Sequence, residues 1–280
     1  MTFDEIRERL ALRYGRDEAR AVARWLLEVG FGLTLTDIVC GAVERMDEGD
    51  ERLLLDMTKR LEHGEPVQYV VGKADFGPRL FEVSPAVLIP RPETYELCQW
   101  IVSCWQEEKH TGGILDIGTG SGCIACTLAA ELPEAHVTGI DISEDALKVA
   151  RDNATSHGVR VLTEQRDALL LPEENRRWQV VVSNPPYICR QEADSMEAHV
   201  LEHEPHTALF VPNDDPLLFY RAIAHYSRQA LCHGGLLFFE LNPTYAEPCR
   251  QMLSGLGFTD ITLRDDQYGK LRFIKARREQ

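Results

Sequence analysis

Asn184, Pro185, Pro186 and Tyr187 are residue types suited to one task, holding a planar group that carries an NH2. An asparagine side chain has a donor end and an acceptor end. Paired prolines contribute carbonyls but no backbone N–H groups, so those carbonyls are free acceptors. Tyr187 adds a flat aromatic ring. The preceding run, Val180-Val181-Val182-Ser183, is β-branched and is expected to form a strand buried on both faces. The double proline ends its ladder pairing. Taken alone, Asn before Pro is equally a turn signal. Its position matters because ligands of open α/β sheets bind outside the carboxyl ends of the strands.

A second stretch, Asp116-Ile117-Gly118-Thr119-Gly120-Ser121-Gly122, follows an expected strand and precedes an expected helix. Its glycines permit a tight turn and close backbone approach to a ligand. The spacing is G-x-G-x-G rather than the G-x-G-x-x-G of dinucleotide folds, and Cys123 stands where a phosphate cradle would need Lys. The usual pyrophosphate equipment is therefore missing, and Asp116 beside the loop suits a cationic ligand. Asp141 is expected to end the next strand, where a carboxylate can accept both ribose hydroxyls. Asp167 follows the third strand and can accept from an adenine amino group. A single acid at a strand end is commonly a helix cap. Three in succession without a phosphate site fit S-adenosyl-L-methionine, which carries a sulfonium, an ammonium and an adenosine but no phosphate.

The elements that must position these residues follow from periodicity. Residues 1 to about 63 are expected to be helical, with apolar stripes from Phe3, Ile6, Leu10 and Leu12, then Ala21, Val22, Trp25 and Leu26, then Leu53, Leu54, Leu55, Met57 and Leu61. Gly30-Phe31-Gly32 interrupts them, and Thr36-Asp37-Ile38 resembles a fresh helix start. Leu80–Val83 and Ala86–Ile89 suggest a hairpin turning at Ser84-Pro85. From residue 112 strands and helices alternate: strands at Ile114–Ile117, Ala135–Asp141, Val159–Leu162, Trp178–Ser183 and Leu236–Glu240, with helices between. Phe258–Leu263 and Leu271–Lys275 can close the chain as an antiparallel hairpin. The fold class is α/β, a doubly wound sheet with helices on both faces. The expected boundaries are a helical bundle over 1–70, a hairpin linker over 71–92 and the α/β domain over 93–280.

Composition narrows the partners. A net charge of −15 opposes free nucleic acid and suits a neutral or basic protein substrate. No apolar run reaches the roughly 18 residues of a membrane helix, and Met1-Thr2-Phe3-Asp4-Glu5 lacks the basic start of a signal peptide, so no membrane partner and a cytoplasmic location are expected. Eight cysteines in such a chain do not imply disulfides. Cys123 and Cys126 form a lone C-x-x-C whose default is small buried residues. His199 and His203 could share a helical face as a metal pair, but Pro205 breaks the helix before His206, and a loop reaching over the site is expected with no metal.

With the glycine loop, Asp141 and Asn184-Pro185-Pro186-Tyr187 in place, the C-terminal part resembles the class I S-adenosylmethionine-dependent methyltransferases. Leu88-Ile89-Pro90-Arg91-Pro92-Glu93-Thr94, Gly64-Glu65-Pro66 with Tyr69, and Glu204-Pro205 before Ala208-Leu209-Phe210 make it similar to the protein-(glutamine-N5) methyltransferases of the PrmC/HemK type. The resemblance implies a mostly parallel seven-stranded sheet. It also implies S-adenosyl-L-homocysteine as product, and as substrate the Gly-Gly-Gln glutamine of class 1 peptide chain release factors. A monomer is expected, its helical N-terminus docking the substrate. Asn184 Oδ1 and the Pro185 carbonyl would accept the two amide hydrogens, Tyr187 would flank the planar group, and Pro186 would join them in binding the substrate. Gly118, Thr119, Gly120, Ser121, Gly122, Asp116, Asp141, Asp167, Ala168 and Asn184 would hold the cofactor. Two positions depart from the family pattern: Tyr95 follows Thr94, and Ala168 stands where relatives often place an aromatic beside the adenine. Arg91-Pro92 favours the release-factor branch over a sister branch that methylates a ribosomal protein. A DNA amino-methyltransferase, the remaining alternative, would want a basic groove.

Overall fold

A computed structural model describes residues 1–279. The chain divides into two units, each described by itself. The first comprises Met1–Lys73 with the short segments Val83–Pro85 and Glu197–His203. Its helices are α1 (Phe3–Tyr14), α2 (Arg16–Phe31), α3 (Leu35–Val39), α4 (Glu48–Glu62) and α5 (Val67–Val71). Thr2 with Glu5 and Thr34 with Asp37 form reciprocal capping boxes that satisfy orphan N–H groups, and Asp47 caps α4. Ile6 and Leu10, four apart on α1, pack against Ala19, Ala23 and Leu26 of α2 and Leu54 and Leu61 of α4. Arg9 adds a forked ion pair to Glu62 at 2.7 and 2.8 Å.

Leu12 does not join the expected stripe and is 97% exposed. Two residues beyond Leu10 it has turned to the opposite side of α1, since helical neighbours recur at three and four. Leu53 and Leu55 are exposed around buried Leu54 for the same reason. The expected fresh start at Thr36 lies two residues earlier, with Thr34 as the cap.

The second unit takes up the chain at Ala74, within the first strand of a hairpin made of β1 (Lys73–Phe76) and β2 (Arg79–Glu82). This corrects the hairpin expected across Ser84-Pro85. The turn is Gly77-Pro78, where Gly77 has φ 58°, the left-handed start that a two-residue hairpin turn favours. Ala86–Ile89 is not a strand. The remaining elements are α6 (Pro92–Glu107), β3 (Gly113–Ile117), α7 (Cys123–Glu131), β4 (His136–Asp141), α8 (Glu144–Ser156), β5 (Val161–Gln165), β6 (Trp178–Ser183), β7 (Ile188–Cys189), α9 (Ala198–His203, within the first unit), α10 (His206–Leu209), β8 (Phe210–Val211), α11 (Leu218–Ala230), β9 (Leu231–Glu240), α12 (Ala246–Gly255), β10 (Phe258–Asp265) and β11 (Leu271–Arg278).

Seven strands form one sheet in the order β10-β11-β9-β6-β3-β4-β5. The five from β9 to β5 are parallel, while β11 runs antiparallel to both β9 and β10. Side-chain alternation divides the core between the two faces. Ile114, Val180, Val182 and Phe238 pack with α6 and α7; Leu115, Val181, Leu237 and Phe239 pack with α11 and α12. The β-branched run of β6 is thus buried on both faces, as its composition requires. After β3 the chain proceeds outward through β4 and β5, then returns to place β6 on the other side of β3. That reversal is the switch point at which open sheets bind ligands. The glycine loop and Asn184 leave its two adjacent strands.

Candidate active site

A cavity of about 590 Å³ opens at this switch point. Gly118, Thr119, Gly120 and Ser121 from the loop, Asp141 from the end of β4, Asp167 and Ala168 after β5, and Asn184, Pro185 and Pro186 after β6 all face it. Residues separated by more than sixty positions are brought together because parallel strands deliver all their carboxyl ends to one edge.

The loop is rigid. Gly118 and Thr119 both donate their N–H to the Ile140 carbonyl at 2.9 Å, Gly120 N–H donates to Asp141 Oδ2 at 2.9 Å, and Gly122 N–H to the Thr119 carbonyl at 2.8 Å. Gly118, Gly120 and Gly122 have φ of 74°, 54° and 77°, a region that costs side-chain-bearing residues dearly. A Cβ on Gly122 would lie 3.0 Å from that of Ala150, so α8 packs directly on the loop. Asp141 also accepts from Ser143 N–H at 3.0 Å. Asp167 accepts from Leu169 N–H at 2.8 Å, a local turn that sets the strand exit beside Ala168.

Three of the expected site residues stand behind the wall. Gly122 packs the helix. Asp116 shares the face of Ile114, beneath α7, and is completely buried. Its Oδ2 accepts from Thr119 Oγ1 at 2.6 Å. Burial raises its pKa to about 7 against the pull of that hydrogen bond. It braces the loop from inside, where direct contact with a cation was expected. Tyr187 packs against the α11–α12 side of the core, and its hydroxyl donates to Glu240 Oε1 at 3.3 Å. That places the ring against the protein, where a flank for the substrate was expected.

Glu240 was not singled out in the sequence, and Thr94 and Glu204 stood there only within motifs, with no part assigned to either. Thr94 near the start of α6 and Glu240 at the end of β9 are buried and bonded to each other, Thr94 Oγ1 donating to Glu240 Oε2 at 2.6 Å. Asn184 Nδ2 donates to Thr94 Oγ1 at 3.3 Å. Glu204 accepts from Arg91 at 2.5 Å and from Ile89 N–H at 3.2 Å. This buried carboxylate holds the wall segment Pro205–Phe210 to the Pro90-Arg91 corner. The two motifs were visible in the sequence as signatures; that they bond each other was not.

The opposite wall carries Arg166, paired with Glu164 and with Glu174 at 3.2 Å. Glu174 also accepts from Tyr226 at 2.5 Å, Trp178 at 2.8 Å and Arg177 at 2.8 Å. Burial pushes its pKa up, but donation from Tyr226, Trp178 and Arg166 outweighs that and leaves it below the usual value. The folded pKa is therefore lower than the unfolded one, which is about 4.3. The resulting stabilisation is complete above that value and disappears as pH falls through the folded pKa. Glu174→Gln is expected to lower the melting temperature by about 2–6 °C at neutral pH. Melting curves should show the gap closing below about pH 4; a gap independent of pH would refute the assignment.

Cys123 and Cys126 are buried at the start of α7, and burial pushes both thiols to about 12. They are inert packing groups at neutral pH. His199 and His203 lie on α9, and among the described residues no group of three metal-ligating side chains is assembled.

Comparison with known proteins adds the following. Residues 3–72 match the PrmC N-terminal domain model and residues 98–209 the methyltransferase small domain model. The chain is 40% identical over 274 residues to the release factor glutamine methyltransferase of Bacteroides thetaiotaomicron, covering 98% of each chain. It is 36% identical to the enzyme of the same name from Flavobacterium psychrophilum, covering 95% of this chain and 94% of that one. Among solved structures, a methyltransferase from Pyrococcus furiosus superimposes with a TM-score of 0.51 at 16% identity, covering 71% of this chain and 89% of that one, a likeness of fold alone.

Proposed function

Because the chain belongs to the release factor glutamine methyltransferase family, we propose that it transfers a methyl group from S-adenosyl-L-methionine to the side-chain nitrogen (N5) of the Gly-Gly-Gln glutamine in class 1 peptide chain release factors. The observation that carries the reading is the convergence of Asn184 and Pro185 with the glycine loop on one cavity.

The residues present fit this cofactor. The N–H groups of Gly118, Thr119, Gly120 and Gly122 are spent on protein acceptors, so most of the loop's own donors are already taken where a pyrophosphate would need them. A ligand without phosphates is what such a loop accommodates. Asp141 would accept from the ribose, Asp167 and Ala168 would border the adenine, and Gly118–Ser121 would line the remainder. When bound, the cofactor supplies a methyl on a sulfonium, an electrophile whose positive charge disperses as the bond to nitrogen forms.

The protein's part is positioning. A carboxamide nitrogen is a weak nucleophile because its lone pair is delocalised into the carbonyl. Asn184 Oδ1 and the Pro185 carbonyl accept its two hydrogens and aim it into the cavity; as the nitrogen takes the methyl, the donor's C–S bond would break to leave a neutral thioether, and one of those two N–H protons would pass to solvent. Such placement can contribute on the order of 7–11 kcal/mol. Pro186 limits the motion of the turn, and the packed Tyr187 anchors it from behind. The partner is a class 1 release factor, met in the cytoplasm by a monomer of this chain, whose acidic surface opposes free nucleic acid.

The test is mass spectrometry of a release factor incubated with this protein and S-adenosyl-L-methionine. A gain of one methyl on the peptide bearing Gly-Gly-Gln is expected, with none when that glutamine is replaced. An unmodified peptide after extended incubation with cofactor-loaded protein rejects the reading.

A further inference from the structure

An asparagine amide has two ends of similar shape and opposite hydrogen-bonding sense. Only one of its two orientations offers an acceptor to a substrate NH2. Something in the fold must choose. The chain of contacts behind Asn184 runs through Thr94 to Glu240. Asn184 Nδ2 lies 3.3 Å from Thr94 Oγ1, and Thr94 Oγ1 lies 2.6 Å from Glu240 Oε2. Tyr187, three residues beyond Asn184, donates to the other oxygen of Glu240 at 3.3 Å.

A threonine hydroxyl has one proton to give. Its short bond to Glu240 assigns that proton to the carboxylate. Its remaining capacity toward Asn184 is then only that of an acceptor, which a side-chain NH2 satisfies and a carbonyl oxygen does not. Glu240 itself is buried, and burial raises its pKa; the hydroxyl of Thr94, the charge of Arg272 and the hydroxyl of Tyr187 pull the other way without cancelling that rise. Thr94, Arg272 and Tyr187 thus bear on this one carboxyl from three elements: α6, β11 and the turn after β6.

We propose that Thr94 and Glu240 are positioning residues that fix the polarity of the Asn184 amide, so that Oδ1 faces the cavity and receives the substrate's N–H. Neither touches the reacting atoms. This rests on the methyl-transfer reading above and deepens it, since it says why the same Asn-Pro-Pro-Tyr turn requires a hydroxyl at residue 94 and an acid at residue 240. With the polarity released, nothing holds Oδ1 toward the cavity, and a molecule that turns its NH2 outward presents NH2 to NH2, a pairing in which neither partner can accept.

Thr94→Val keeps the shape and removes the hydroxyl; Thr94→Ser restores the hydroxyl on a smaller side chain. Single-turnover rates are measured per bound cofactor, so any misfolded fraction drops out, with a Gly-Gly-Gln release factor as substrate. Thr94→Val is expected to lower the rate constant roughly 10- to 100-fold, because a half-buried amide loses its partner and its orientation. KM for the release factor and Kd for the cofactor should stay within about threefold, and Thr94→Ser should stay within about threefold of the native rate, since the hydroxyl alone sets the bond. The proposal is overturned if Thr94→Val keeps its rate within about twofold, or if its loss appears only in KM. Equal losses in the Val and Ser variants would also overturn it, because packing would then explain both. If the native protein itself leaves the release factor unmodified, the methyl-transfer reading fails first, and the two failures are told apart.

Discussion

Asn184→Ala is expected to reduce methyl transfer by about 100- to 1000-fold while leaving the fold and cofactor affinity nearly intact. The side chain is half-buried at the mouth of a turn whose shape is set by Pro185 and Pro186. Its hydrogen bond to Thr94 is long, at 3.3 Å. Removing it should cost only about 0.5–1.5 kcal/mol of stability. The rate is another matter. A transfer that depends on orienting a poor nucleophile loses most when the orienting acceptor goes. Calorimetric titration with S-adenosyl-L-homocysteine should return a Kd within about threefold of native, because uniform binding is untouched while an interaction needed for the transition state is lost. Turnover close to native would remove Asn184 from the mechanism.

Asp141→Ala is expected to strike the opposite quantity. Asp141 lines the cavity, and its two oxygens hold Gly120 N–H and Ser143 N–H. The substitution therefore removes the ribose acceptor and unpins the loop in one step. Hydrogen bonds to a charged acceptor contribute about 1.5–3 kcal/mol each, so cofactor affinity should fall by about two to three orders of magnitude. At saturating cofactor the rate should recover to within about tenfold, because Asn184 remains in place. Titration of both variants with the same ligand checks the contrast. An affinity loss below about tenfold for Asp141→Ala would mean that the loop, and not this carboxylate, carries the cofactor.

The parts of the molecule legible in the sequence are those where a local rule is obeyed. Val180–Val182 announced a strand buried on two faces, and the glycine spacing announced a tight turn. Errors arose where local rules compete. Leu12 was read into the apolar stripe of Leu10, although the helical repeat sends it outward. Ser84-Pro85 was preferred as a turn, although Gly77-Pro78 offered the backbone that a short hairpin favours. Asp116 was taken for a ligand contact because it adjoins the loop. Strand alternation instead turns it inward to Thr119. The network behind Asn184 was beyond reach for a different reason. Its bonds join residues 90 and 146 positions apart, and no periodicity links such partners until the sheet order is known.

The distribution of the eight cysteines has a practical corollary. Burial raises the pKa of the Cys98, Cys104, Cys123, Cys126 and Cys249 thiols, and Cys189 is also buried. Cys40 is exposed and Cys232 half-exposed, one in each unit. Maleimide reagents, which need an accessible thiolate, would therefore address the native chain at those two sites. A fluorophore pair could report the distance between the units in solution, with and without a release factor, and without a single introduced cysteine.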